Sequence, residues 1–230
     1  MRSWPPKLRL ALGLAAGFAV LAAIVALGVL DHFDQWAVDH LMPGVGPGPG
    51  SPSILSSVMP VFHPDRSHTH VGLSALTYAI VVAASALPSA IVVGVCLLVL
   101  WGRRRLVVAV ALGAAFVVAN LVELICKESI LRDALYKHVD GAALHIGALD
   151  SSYPSGHATR AVLMAACVGA CLPVLRWLLA AWIVAVAAML VVGGWHTPSD
   201  VAGGLLLSTT LLLLADVAAA KVVARRAQVP

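Results

Sequence analysis

Apolar residues run in long blocks along this chain, with short polar stretches between them. The blocks cover roughly 8–30, 71–101, 106–126, 158–175, 177–195 and 201–220. A membrane-crossing helix needs about 20 apolar residues, so five blocks fit one helix each. The 71–101 block is too long for one straight span and too short for two. Pro88 lies inside it and lacks a backbone donor. The block is therefore expected to kink there, or to lay its first turns in the headgroup layer. The pattern predicts an all-α polytopic membrane protein, with six transmembrane helices in one bundle.

The polar punctuation divides the rest. Residues 31–70 form a first outer segment, whose Pro43-Gly44-Val45-Gly46-Pro47-Gly48-Pro49-Gly50 run cannot hold a helix. Its flanks, 31–41 and 54–62, are short and mixed enough to lie on the membrane surface. Residues 128–153 form a second outer loop, and 196–200 a very short third one. There is no internal repeat, and no stretch is long enough for a separate soluble domain, so 1–230 reads as one domain. The first block follows Arg2, Lys7 and Arg9, as in a signal peptide. Its apolar run of about 20 residues exceeds the usual h-region of about 7–15, which favours an uncleaved first span.

Composition supports the membrane reading. The 230 residues are 60% apolar and 11% charged, with mean hydropathy +0.94. A soluble domain carries about 25% charged residues. With six spans, one side receives Arg2, Lys7, Arg9, Arg103, Arg104, Arg105, Arg176, Lys221, Arg225 and Arg226, ten of the fifteen Lys and Arg. Basic loops stay cytoplasmic, so both termini are expected inside. The net charge of +4 then reflects topology and argues for no nucleic-acid partner. All nine histidines fall on the outer side, with Lys127 and Arg132. Cys96, Cys126, Cys167 and Cys171 lie in or at the ends of spans without CxxC spacing, and read as small packing residues.

Candidate chemistry gathers at the outer ends of the later spans. By parity, Lys127, His157, His196 and Pro198 reach the same face. Ser155 is a good N-cap, Gly156 lets a ligand approach the backbone, and the amides of a helix start bind phosphate oxygens. The plainer reading of Ser155-Gly156-His157 is a capped helix. Asp200 also has two readings. It can close a capping box with Thr197, or it can accept the Nδ1 proton of His196 and leave Nε2 free to attack. Arg160 lies one helical turn beyond His157 on nearly the same face. A charge there is costly in a span, so Arg160 either snorkels outward or turns toward the site. Glu123, one turn before Lys127, is placed to pair with it.

Taken together, Lys127, Arg132, Tyr153-Pro154-Ser155-Gly156-His157 and His196 with Asp200 resemble the signature motifs of the type 2 phosphatidic acid phosphatase family. That family shares its core with vanadium haloperoxidases and bacterial acid phosphatases. The resemblance covers about 120–204, the motif-bearing core. The Pro-Ser-Gly-His motif is complete at 154–157. The third motif keeps His196 and Asp200, but Met189 and Leu190 stand at its Ser-Arg positions. The first keeps Lys127 and an additional Arg132, while Ala134 and Leu135 replace Arg-Pro.

The resemblance implies a lipid phosphatase needing neither metal nor cofactor. His196 would be the nucleophile, His157 the proton donor, and Asp200 the group that orients His196. Lys127, Arg132, Arg160, Ser155 and Gly156 would hold the phosphate, with Arg160 replacing a missing arginine. The implied substrate is a membrane lipid phosphate: a polyprenyl diphosphate, phosphatidate or phosphatidylglycerophosphate. The short loops and the absence of a Lys-Asp-Glu-Leu-type tail fit a bacterial plasma membrane, with the site facing outward. Two other classes stay open. The vacant arginine positions fit a member that binds lipid phosphates without turnover. The outer histidines, including His63, His68 and His70, fit metal binding. A transporter would call for an inverted repeat.

Overall fold

The computed structural model describes residues 4–42, 80–139 and 142–228. The Gly/Pro run at 43–50, the flank at 54–62, and His63, His68 and His70 lie outside them. Seven α-helices stand among the described residues: α1 (Pro6–Ala26), α2 (Asp31–Leu41), α3 (Ala86–Gly102), α4 (Leu106–Ser129), α5 (Gly156–Cys171), α6 (Arg176–Val192) and α7 (Pro198–Arg226). Between α4 and α5 lies an antiparallel hairpin, β1 (Tyr136–Val139) with β2 (Ala142–His145), in which Tyr136 pairs with His145. The expected all-α bundle thus gains a small sheet in the loop between α4 and α5.

Every apolar block within the described residues forms a helix. Pro6–Ala26, Leu106–Ser129, Pro173–Val192 and Pro198–Arg226 are long and apolar enough to cross a membrane. Ala86–Gly102 is an apolar helix of 17 residues and α5 has 16. At 1.5 Å per residue these reach about 25 Å, short of the ~30 Å hydrocarbon layer. Of the six expected spans, four are thus long and apolar enough among the described residues. Pro88 does not kink a long helix. The chain breaks just before it, with Ser85 at the N-cap position and Pro88 in the first turn of α3, where no intrahelical donor is lost.

Large apolar side chains lie exposed along the outside, among them Val20, Leu98, Ile125 and Val184. With no water in a bilayer to punish such exposure, this is a lipid-facing surface. The protein is an integral membrane protein. α7 lies against α1, α4 and α5, and α5 also meets α3 and α6. One apolar cluster joins Ala158 and Ala161 of α5 to Val186 and Leu190 of α6, Val201 of α7, and Val81 and Ala84 before α3.

Glycines let α5 and α7 start in close contact. A Cβ on Gly204 would stand 2.5 Å from the Ser155 carbonyl oxygen, and one on Gly203 would strike the Tyr153 ring. Ser155 N donates to the Asp200 carbonyl at 2.9 Å, and Thr159 Oγ1 donates to the Ser155 carbonyl at 2.9 Å. Two helix N-termini are thereby locked side by side.

α2 and the hairpin form a cap over that end. Val38, Met42, Leu135, Ile146 and Leu149 make its small core. At the opposite end, Arg103 donates to the Cys171 carbonyl at 2.8 Å and Arg105 to the Ala170 carbonyl at 3.0 Å. These arginines satisfy open carbonyls at the C-terminus of α5, where positive charge is favoured.

Candidate active site

The site is built where α5 and α7 begin. Gly194, at φ 74°, adopts the left-handed conformation that ends α6. The chain then folds back, so Trp195 N and His196 N both donate to the Leu190 carbonyl, at 2.9 and 3.1 Å. This turn holds His196 over the start of α7. Ser155 caps α5, with Oγ accepting from Ala158 N at 3.3 Å, and His157 follows, half-buried, in the first turn. The His157 and His196 rings stand 6.1 Å apart between centroids. Trp195 meets the His157 ring edge-on at 5.6 Å.

Asp200 fills the first of its two expected places and stands close to the second. It closes the capping box of α7: Thr197 N donates to Oδ2 at 2.9 Å and Asp200 N to Thr197 Oγ1 at 3.4 Å. The same Oδ2 stands 3.6 Å from His196 Nδ1. That is beyond hydrogen-bond length, and Nδ1 is buried without a hydrogen-bond partner. Such contacts are commonly long before substrate binds and close afterwards. The cap therefore fixes the carboxylate, and the carboxylate faces the imidazole.

Arg132 departs from its expected place among the phosphate ligands. Its side chain is fully buried and pairs with Asp200. One terminal nitrogen donates to Asp200 Oδ1 and Thr197 Oγ1, each at 2.9 Å. The other donates to Asp34 Oδ2. Those bonds direct the charge to carboxylates, and the cap of α2 and the hairpin covers it. Asp34 also accepts from Ser199 Oγ at 2.6 Å, and Ser152 Oγ donates to Asp200 Oδ2 at 2.6 Å. The sequence reading passed over Asp34 and Ser152. Asp34 carried a usable signal, since it shares a helix face with Ala37 and Val38, which marks it as inward-pointing.

The remaining cations stand on the other side of His157. Lys127 Nζ donates to Glu123 Oε1 at 2.8 Å, as expected from the i, i+4 spacing. Arg160 turns inward and does not snorkel. It donates to Glu123 Oε2 at 2.8 Å, Asn120 Oδ1 at 3.1 Å and the Ala84 carbonyl at 3.0 Å. Leu190, at a vacant arginine position, packs in the same apolar cluster as Ala84. Arg160 bonds the carbonyl of that same Ala84. Ala134, at the other vacant position, is exposed.

The structure therefore gathers His157, His196, Asp200, Ser155, Gly156, Lys127 and Arg160 at one end of the bundle, with Arg132 behind Asp200. His157 Nε2, like His196 Nδ1, is buried and unpartnered. Buried polar atoms rarely stay unsatisfied; Nδ1 of His196 has Asp200 beside it, so His157 Nε2 is the one that invites a polar ligand. The other described histidines, His32, His40, His138 and His145, lie on α2 and the hairpin. Among the described residues no group of three or more His, Cys, Asp or Glu is arranged to hold a metal ion.

Comparison with known proteins gives two findings. A profile of the PAP2 superfamily matches residues 106–222. The chain also resembles the crystal structure of the first transmembrane PAP2 type phosphatidylglycerolphosphate phosphatase from Bacillus subtilis. The TM-score is 0.62 and the identity 18%, over 92% of this chain and 96% of that one. At that identity the likeness speaks for the fold. None of the curated proteins matches the chain.

Proposed function

The chain belongs to the PAP2 superfamily, and from that premise we propose that it is a metal-independent lipid phosphatase. The reading rests above all on the two histidines, one from the first turn of α5 and one from the turn after α6, whose ring centroids stand 6.1 Å apart. Asp200 stands behind one of them and two cations beside the other.

In the proposed reaction His196 Nε2 attacks phosphorus. The bond to the leaving oxygen breaks, and His157 gives that oxygen its proton. Water then attacks the phosphohistidine, passing a proton to His157, and phosphate leaves with His196 restored. Asp200 holds the tautomer with the Nδ1 proton facing it. Lys127, Arg160 and the opening amides of α5 from Gly156 onward, behind the Ser155 cap, stabilise the equatorial oxygens. The substrate class is a membrane lipid phosphate, and a tail lying in the bilayer suits a site at the end of the bundle. Polyprenyl diphosphates, phosphatidate and phosphatidylglycerophosphate are the candidates. The Bacillus subtilis structure is named for activity on the last. The basic residues of the opposite end support an outward-facing site, and we read the membrane as a bacterial plasma membrane.

One observation favours a second reading. Arg160 and Lys127 both spend a bond on Glu123, and Ala134 and Leu190 stand where the motifs carry arginine. A member that binds lipid phosphates without turnover would look like this.

Phosphate release decides between them. Wild type and His196→Ala are compared in detergent with EDTA, on phosphatidate, phosphatidylglycerophosphate and short polyprenyl diphosphates. Release that EDTA spares and the substitution abolishes is the expected result. No release from any of these by folded wild type overturns the catalytic reading in favour of binding alone.

A further inference from the structure

Glu123 is a buried carboxylate set into the cationic half of the site. Its Oε1 takes Lys127 and its Oε2 takes Arg160, each at 2.8 Å. A Cβ on Gly156 would collide with the carboxylate, and would stand 2.6 Å from an Arg160 terminal nitrogen. The carboxylate therefore lies directly against the first residue of α5. There the opening amides of a helix lack intrahelical partners and the helix dipole favours an anion. Two cations and a helix start are the partners a phosphate group would use. Pairing at i, i+4 accounts for the contact with Lys127 alone. It does not account for the bond to Arg160 or for the position over Gly156.

We propose that Glu123 is a specificity-determining residue: an internal anion seated where phosphate oxygens bind, which the substrate phosphate must displace from Lys127, Arg160 and the start of α5. The inference rests on the phosphate site of the proposed function, though not on turnover there. Lys127 and Arg160 bring two positive charges and Glu123 returns one negative charge. A phosphate arriving beside the seated carboxylate meets repulsion. One that displaces it gains both cations. The same exchange run backwards recaptures the cations as inorganic phosphate departs, which keeps product from lingering.

The alternative is that Glu123 only neutralises Arg160, whose charge is costly in an apolar helix. The two differ in the sign of one measurement. Inorganic phosphate is titrated calorimetrically into the full-length protein in detergent, for wild type and Glu123→Gln. Competition predicts at least tenfold tighter phosphate binding by the variant, because the amide holds the cations less firmly. Equal or weaker binding overturns the proposal and leaves Glu123 as a positioning group for Lys127 and Arg160. If Glu123→Gln does not fold, Glu123→Asp serves. Its shorter carboxylate cannot reach both cations, and tighter binding is again expected, with equal or weaker binding overturning the idea. Phosphate binding by neither protein also overturns it. A wild type that binds phosphate but releases none from lipids refutes the catalytic reading and leaves this one standing.

Discussion

Arg132 carries its charge into the interior and meets two carboxylates there, Asp34 and Asp200. Breaking a buried pair by removing one partner typically costs about 3–5 kcal/mol, since the other charge is left uncompensated. Asp34→Asn is therefore expected to lower the thermal unfolding midpoint sharply. It should also lower kcat with little change in KM, because Arg132 helps hold the carboxylate that faces His196. An unchanged midpoint and kcat would show that Arg132 does not depend on Asp34. Gly156→Ala makes a sharper case, since the added methyl collides with the Glu123 carboxylate. Loss of most activity in a folded variant, read by phosphate release, is expected there. At this scale the sequence showed which residues share an end of the bundle. It did not show which way each one turns. Lys127 and Arg132 looked alike as basic residues at a membrane exit. The difference came from Asp34, 98 positions earlier in the chain, and no spacing rule connects the two. The double use of Asp200 was legible as two alternatives, because one carboxylate has two oxygens and several lone pairs to share.

The elements were read unevenly, and for a physical reason. Spans announce themselves by composition, whereas 31–41 read only as a mixed segment able to lie on the membrane surface, and the structure folds it as α2. The hairpin was missed, although Asp140-Gly141 between its strands is the dipeptide that favours a tight two-residue turn. Four-residue strands give too little alternation to stand out beside long apolar blocks. The hairpin and α2 hold each other. Lys137 Nζ donates to the Val38 and Asp39 carbonyls at 2.9 and 2.7 Å, closing the C-terminus of α2. Asp39 accepts from Gln35 at 3.1 Å and from His138 N at 3.2 Å, and its Oδ1 lies 3.0 Å from His138 Nδ1. Burial alone would raise the Asp39 pKa. The hydrogen bonds from Gln35 and His138 outweigh it and hold the group below its ordinary 3.8. A carboxyl depressed by folding stabilises the folded state above its unfolded pKa, and that contribution fades as pH falls through the lowered value. Docking of α2 on the hairpin should therefore be firm at neutral pH and weaken below about 3.8. Fluorescence of Trp36, which stacks on His40 at 5.1 Å, reports it. The Asp39→Asn variant should lose that acid step, and a step that persists would assign it to another group.

For the molecule as a whole, orientation is the property most exposed to test. Ten of the fifteen Lys and Arg belong to the end opposite the histidines. The structure makes the asymmetry steeper than that count. Arg132 and Arg160 at the site end are paired with Asp34, Asp200 and Glu123, and Lys137 is taken up by helix carbonyls. Arg103 and Arg105, in contrast, keep their charges at an exposed turn while bonding the carbonyls that end α5. They clasp α3–α4 to α5, and the proposed outward-facing site gives them a second task as a retention signal during insertion. A fluorescent protein fused after Ala227 should therefore fluoresce, because it stays in the cytoplasm. A periplasmic alkaline phosphatase reporter fused at the same point should be inactive, and one placed after His145 should be active. Replacing Arg103, Arg104 and Arg105 together with alanine should yield mixed reporter signals and a lower unfolding midpoint, since both roles are lost at once. The opposite reporter pattern in the unmodified chain would turn the bundle over. The two histidines would then face the cytoplasm, and the lipid phosphate they meet would have to come from the inner leaflet.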